Sequence, residues 1–196
     1  YFIDEFQDTS VLQWENLIPL LDNALSAENG STMLVGDAKQ SIYRWRGGKA
    51  EQFIDLFNEK EQPFHIKQKV ETLDENYRSF KEIVNFNNSF FKFLSTQVFI
   101  NDDYKNLYEN AQQNITKKEE GFVEFSFLEI EKEDDRNELF SEKTLKTVNN
   151  CLANGFNLQD ICVLVRKKKE GVAVANYLSQ HNIPIISSET LLLQNS

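Results

Sequence analysis

The sequence predicts an α/β protein built on short parallel strands, and three observations predict it. An apolar run, Tyr1-Phe2-Ile3, ends abruptly in two adjacent carboxylates, Asp4 and Glu5. A helical stretch follows, and then a second apolar run, Thr32-Met33-Leu34-Val35, closed by Gly36-Asp37. Strand, helix, strand is a parallel crossover, and parallel strands buried on both faces read as continuous apolar runs. A similar alternation recurs beyond residue 120.

Taken in order, residues 1–4 read as the end of a strand. Leu12, Leu17, Ile18, Leu21 and Leu25 recur at helical spacing over 11–26, with Pro19 predicting a kink or a late helix start. Asn29-Gly30-Ser31 is a turn, and 50–58 a short helix. Residues 66–73 are polar and extended, a connector. Ser79 and Glu82 have the spacing of a capping box, and Phe80, Ile83, Val84, Phe91 and Leu94 line a helix reaching about residue 95. Residues 101–120 are Asn-rich and predict loop with a little helix. Val123, Phe125 and Phe127 alternate with polar residues as in a half-buried strand. Leu145, Val148 and Leu152 mark a helix that Gly155 is placed to end. Ile161 to Val165 reads as a strand, 172–179 as a helix and 183–186 as a final short strand. A boundary near 65–75 divides the chain into 1–70 and 71–196.

Composition sets limits. The chain has 196 residues, 40% hydrophobic, enough for one large domain or two small ones. Its apolar runs fall far short of the roughly 20 residues of a membrane helix. Cys151 and Cys162 form no metal or disulfide pattern and are expected as buried free thiols, as suits a reducing cytoplasm. A net charge of −10 argues against nucleic acid, whose phosphates are met by Lys and Arg. Charge averaged over a chain does not describe a groove, however. Lys39, Arg44, Arg46 and Lys49 cluster, while acids crowd 129–142, so a basic strip on an acidic body fits the sequence.

Three strings carry chemistry. Asp4-Glu5 at the end of a parallel strand is how such a sheet delivers a Mg²⁺ ligand and a base to a phosphate site, because Mg²⁺ takes one or two carboxylates plus phosphate oxygens. The bare pair alone is more often a surface strand end; the full string Asp-Glu-Phe-Gln-Asp-Thr argues for a site. Gly36 to Gly48 follows the second strand and shares its carboxyl edge. There Gln40 can bond both a phosphate and a water, and Tyr43 and Trp45 alternate with Arg44 and Arg46. Aromatics interleaved with arginines make a stacking platform for bases. In Asn76-Tyr77-Arg78-Ser79, Arg78 can reach a γ-phosphate and Tyr77 can stack on an adenine, although an isolated Tyr-Arg pair is commonly plain surface.

In identity, order and spacing, the three strings resemble motifs II, III and IV of the superfamily 1A DNA helicases, the UvrD/Rep family. Asp37-Ala38-Lys39-Gln40, the segment 160–166 and the ending 187–192 are similar to the RecB/AddA branch, the exonuclease V type of helicase–nuclease. The resemblance is strong over 1–85 and weaker beyond. It implies partial RecA-like parallel-sheet domains: the C-terminal part of a first over 1–70 and the N-terminal part of a second over 71–196, truncated at both ends. It implies ATP and Mg²⁺ as cofactors, single- or double-stranded DNA as partner, a second helicase–nuclease subunit, and 3′ to 5′ translocation. It assigns Asp4 to Mg²⁺, Glu5 to catalytic base, and Gln40 to the γ-phosphate. Tyr77 would stack on adenine, Arg78 would be the arginine finger, and Tyr43, Trp45 and Arg46 would hold single-stranded DNA.

The chain departs from the family pattern in having no Gly-x-x-x-x-Gly-Lys-Ser/Thr string. It also lacks the later motifs and starts inside motif II. The 196 residues are therefore expected to be an inactive fragment. Two other readings compete: a non-catalytic DNA- or protein-binding module with a degenerate helicase fold, and another Mg²⁺-dependent phosphoryl-transfer enzyme. Intact acids speak against the first, and the aromatic platform speaks against the second.

Overall fold

The computed structural model describes residues 1–99, 101–131 and 135–187, and the chain groups into two compact units, Tyr1–Glu124 and Phe125–Ser196. The string at 188–192 lies outside the described residues.

The first unit begins with the crossover the apolar runs predict. β1 (Phe2–Ile3) pairs in parallel with β2 (Met33–Leu34), with Phe2 opposite Met33 and Ile3 opposite Leu34. The ladder extends through Met33 N–H to Tyr1 O at 2.9 Å and Val35 N–H to Ile3 O at 2.8 Å. Between them runs α1 (Val11–Leu25), which contains Pro19. Its start is fixed by a reciprocal cap: Gln13 N–H donates to Ser10 Oγ, and Ser10 N–H donates to Gln13 Oε1. The later start does not occur. Trp14, Leu17, Ile18 and Leu21 form the inward stripe, an i, i+3, i+4, i+7 set. Leu12 lies off it and is 69% exposed, a correction to the helical face read from leucines alone. Phe6, Trp14, Leu21 and Leu56 make the core, with the Phe6 ring edge-on to Trp14 at 4.9 Å. α2 (Ala50–Phe57) adds a second cluster of Ala38, Ala50 and Ile54.

The same unit holds a second parallel pair, β3 (Glu75–Phe80) with β4 (Asn114–Lys117), bridged by α3 (Lys81–Val98) and α4 (Asp102–Glu109). β4 lies in the polar stretch expected to be loop. Asn88 fixes its start with two bonds, accepting from Gln113 N–H at 3.0 Å and donating to Gln113 O at 2.9 Å. The capping box predicted from Ser79 and Glu82 does not form. β3 runs to Phe80, which occupies the N-cap, and Glu82 instead accepts from Gly121 N–H.

In the second unit α5 (Arg136–Ala153) packs against α6 (Lys168–Gln180), burying Val148, Val174, Ala175 and Leu178. Gly155 stands just past α5 at φ +89, the left-handed position only glycine takes cheaply. The strands predicted at 123–127, 161–165 and 183–186 do not form among the described residues. Alternation reports which side chains share a face; a strand also needs a backbone ladder. Leu128, Ile161 and Val163 instead border a cavity of ≈ 350 Å³ against Phe140, Thr144 and Val148. Phe127 and Leu164 stay 92% and 90% exposed. Both cysteines are free, but neither is buried: Cys151 is half-buried, and Cys162 is exposed. No described helix is long and apolar enough to cross a membrane.

Candidate active site

The chain leaves β1 through a sharp local turn. Glu5 takes a left-handed conformation at φ +50, and its N–H donates to Asp4 Oδ1 at 2.9 Å. A non-glycine residue in this region stores strain that surrounding contacts must hold. Those contacts come from the next residues. Phe6 is buried in the core and its N–H donates to Val35 O at 3.0 Å. Gln7 is 1% exposed; its Nε2 donates to Glu5 Oε2 at 2.6 Å, and its Oε1 accepts from Asp37 N–H at 3.0 Å. One buried amide therefore joins the Asp4-Glu5 pair to the loop after β2. Gly36 makes room for it, since a Cβ there would lie 2.6 Å from Gln7 Oε1.

That loop is tied at both ends to the acidic segment. At its start, Asp37 Oδ1 accepts from Lys39 N–H at 3.0 Å and pairs with Lys39 Nζ at 2.7 Å, while Asp37 Oδ2 accepts from Gln40 Nε2 at 3.0 Å. Burial works to raise the Asp37 carboxyl, but the Lys39 and Gln40 hydrogen bonds outweigh it and hold it below its ordinary value. At its end, Lys49 N–H and Gln52 Nε2 both donate to Thr9 O, at 3.3 and 3.0 Å.

Between these anchors Arg44–Arg46 form a 3-10 turn closed by Gly47 at φ +91. The turn holds Tyr43 and Trp45 with ring centres 6.5 Å apart. The Arg46 guanidinium lies 5.9 Å from the Tyr43 ring centre and 5.5 Å from that of Trp45. Trp45 is 79% exposed, which leaves a solvent-facing aromatic surface backed by a cation. The two arginines differ. Arg46 lies on the rings, whereas Arg44 is paired with Glu51 Oε1 at 2.5 Å.

Tyr77 and Arg78 sit on the other sheet. Between Asn76 and Phe80 the β3–β4 register is irregular. Asn76 Oδ1 accepts from both Arg78 N–H and Ser79 N–H, at 3.0 and 2.8 Å, so the string is a bulge pinned by its own first residue. Bulges re-aim side chains, and this one leaves Tyr77 and Arg78 exposed. The Asp4–Asp8 and Gly36–Gly48 strings are thus brought together by hydrogen bonds, while Tyr77 and Arg78 are both carried on β3 of the other sheet. Sequence reasoning gave no role to Gln7 or Asn76. Their signal was present, since each is an amide inside a chemistry-bearing string.

Mg²⁺ and a nucleotide fit the residues present in part. Asp4 and Glu5 offer exposed hard oxygens at a strand end, and a cleft of ≈ 510 Å³ bordered by Glu5, Asp8, Thr9 and Gln13 opens beside them. Among the described residues no three His, Cys, Asp or Glu side chains form a metal cluster, so a cation here would depend on phosphate and water for most of its shell.

A short parallel sheet with an acid pair and a Gln-bearing loop on its carboxyl edge defines a partial RecA-like α/β protein. Residues 1–65 match the UvrD/REP helicase N-terminal domain, and residues 72–193 match the UvrD-like helicase C-terminal domain. The chain belongs to the UvrD-like helicase family. Similar proteins include an ATP-dependent helicase/nuclease subunit of Lactococcus lactis subsp. cremoris SK11, 29% identical over 202 residues, covering 95% of this chain and 16% of that one. The exonuclease/helicase subunit RexA of strain MG1363 is likewise 29% identical over 202 residues, with the same coverage. An ATP-dependent helicase/nuclease subunit of Clostridium botulinum Alaska E43 is 39% identical over 90 residues, covering 46% of this chain and 7% of that one. These relatives bear out the RecB/AddA resemblance. The chain spans about 16% of the length of the two Lactococcus relatives.

Proposed function

We propose that these residues form the central part of an ATP-dependent 3′ to 5′ DNA helicase, the helicase subunit of a recombination and repair helicase–nuclease. Residues 1–70 would end its first RecA-like domain, and 71–196 would begin its second. The names of the relatives and the two family matches support this reading. The observation that carries it is the double anchoring of the Gly36–Gly48 loop to the acidic string, through Gln7 and Thr9. A phosphate-sensing side chain on such a loop moves with the DNA-facing aromatics.

Asp4 would hold Mg²⁺, which would supply charge neutralisation at the phosphates. Glu5 has Oε2 occupied by Gln7, which leaves Oε1 to take a proton from the attacking water. Gln40 exchanges its bond with Asp37 for the γ-phosphate. Tyr77 stacks on the adenine, and Arg78 stabilises charge on the transferred phosphoryl group. Tyr43, Trp45 and Arg46 hold single-stranded DNA. The protein works in the cytoplasm, beside a second subunit. The 196 residues by themselves are inactive, because they contain no phosphate-cradling glycine loop.

The test is ATPase activity of the whole enzyme with and without single-stranded DNA, beside Glu5→Gln. DNA stimulation lost in the variant supports the reading. DNA binding without any ATPase in the unsubstituted enzyme overturns it in favour of a binding module.

A further inference from the structure

We propose that Tyr104 is a positioning residue for the single-stranded DNA platform, acting through Glu51 and Arg44. The inference rests on the platform reading of Tyr43, Trp45 and Arg46. Its ground is a closed triangle of hydrogen bonds. The Tyr104 hydroxyl donates to Glu51 Oε1 at 2.8 Å and accepts from the Arg44 guanidinium at 3.2 Å, and Arg44 closes the triangle on the same Glu51 oxygen. Glu51 Oε2 is buried with no hydrogen-bond partner among the described residues, so Oε1 carries the whole interaction.

Arg44 is the first residue of the 3-10 turn, and Trp45 and Arg46 are the next two. Fixing Arg44 fixes the turn's entry and so the direction in which the rings face. Tyr104 stands on α4, in the stretch that matches the C-terminal domain, while Arg44 and Glu51 stand in the stretch that matches the N-terminal one. Burial and the Glu51 carboxylate both push the Tyr104 hydroxyl up, so it remains an O–H donor at neutral pH.

The hydroxyl is not needed to dock α4. Leu107 packs on the Ala38–Ala50–Ile54 cluster, and Lys60 Nζ reaches Asp103 at 2.7 Å. The Tyr104 ring also joins that cluster and stacks with Phe99 at 6.4 Å. Removing the oxygen alone therefore tests positioning and spares packing. The triangle also decides what Arg44 does: its charge is satisfied by Glu51, so it is not a phosphate arm.

The experiment measures binding of fluorescein-labelled oligothymidine to the whole enzyme as a function of salt. Tyr104→Phe is expected to weaken binding about tenfold, the worth of one hydrogen bond to a charged group. Its slope of log affinity against log salt should stay unchanged, because no phosphate contact is lost. Arg44→Ala should weaken binding with the same unchanged slope, and the double variant should be no weaker than Arg44→Ala alone. Arg46→Ala should lower the slope by about one.

Wild-type affinity in Tyr104→Phe, additive losses in the double variant, or a lowered slope in Arg44→Ala each overturns the inference. Trp45→Ala separates it from the reading beneath it. If Trp45→Ala binds normally, the platform falls and the inference with it. If Trp45→Ala is weakened while Tyr104→Phe is not, only the inference falls.

Discussion

The two short parallel sheets each present a chemistry-bearing string, and each string is held by a side-chain amide. On the β1–β2 sheet the amide is Gln7, 1% exposed and bonded to both Glu5 and Asp37. On the β3–β4 sheet it is Asn76, half-buried and bonded to the backbone of the string it begins. Gln7 reaches across thirty residues of sequence and belongs to the core. Asn76 Oδ1 reaches two and three residues, and its Nδ2 donates to Gln113 Oε1 at 2.7 Å in an exposed contact, so it belongs to the surface. An amide in a dry interior has no water to replace a lost partner, whereas one at a bulge does. The acid pair is thus preorganised, and the Tyr77–Arg78 string is aimed but adjustable.

The contrast breaks most sharply at Gln7. Gln7→Leu keeps the volume, removes both hydrogen bonds and strands Asp37 N–H. We expect a loss of about 2–4 kcal/mol in unfolding free energy by urea titration. A loss below about 1 kcal/mol would mean that water reaches the site and that the two amides are equivalent.

Gly36→Ala probes the same joint from the other side. The added methyl would meet Gln7 Oε1 at 2.6 Å, with Phe6 N at 3.2 Å behind it. Displacing a core amide should cost about 1–3 kcal/mol. Pairing the variant with Gln7→Leu should give less than the sum, because both act on one contact.

What the sequence revealed of this contrast follows from where the information sits. The β1–α1–β2 crossover was legible because its signal is local: two apolar runs and large side chains recurring at helical spacing between them, whereas the Ser10–Gln13 cap emerged only in the structure. The acid pair, Gln40 and the aromatic platform were legible as strings. The bonds between strings were not, because nothing in Gln7 itself names Asp37 as its partner. β4 was hidden because Asn114-Ile115-Thr116-Lys117 has no apolar run, and it is set by Asn88 and by Lys117 Nζ on Arg78 O. The strands expected at 123–127 and 161–165 differ in the opposite sense: the apolar pattern is present, and no strand forms among the described residues. Glu82 had the spacing of a cap and was drawn instead to Gly121.

Asn76→Ala should cost about 1 kcal/mol or less, because the freed Arg78 and Ser79 N–H groups and the exposed Gln113 amide that Asn76 also bonds are near water. Activity is the better readout. With the bulge unpinned, Arg78 loses its aim, and DNA-stimulated ATPase of the whole enzyme should fall about tenfold while the melting temperature barely moves. Equal falls in stability and activity would place Asn76 with Gln7 as a core residue.

The smallest expected effect is pH-dependent and sits between the two regimes. Asp37 is bonded to the buried Gln7 through its backbone but keeps 29% of its side chain exposed. Burial raises its carboxyl, the Lys39 and Gln40 hydrogen bonds and the Lys39 charge together lower it by more, and the net position is below the ordinary value. A carboxyl depressed on folding contributes stability that is fully present above its unfolded pKa. That contribution is lost as pH falls through the folded value, below about pH 4. Solvent screening limits it to less than about 1 kcal/mol. Asp37→Asn should leave stability at pH 7 slightly lower and flatten the acid limb of the stability curve. An acid limb as steep in the variant as in the unsubstituted protein would assign it to other carboxylates and leave Asp37 with only its backbone role on Gln7.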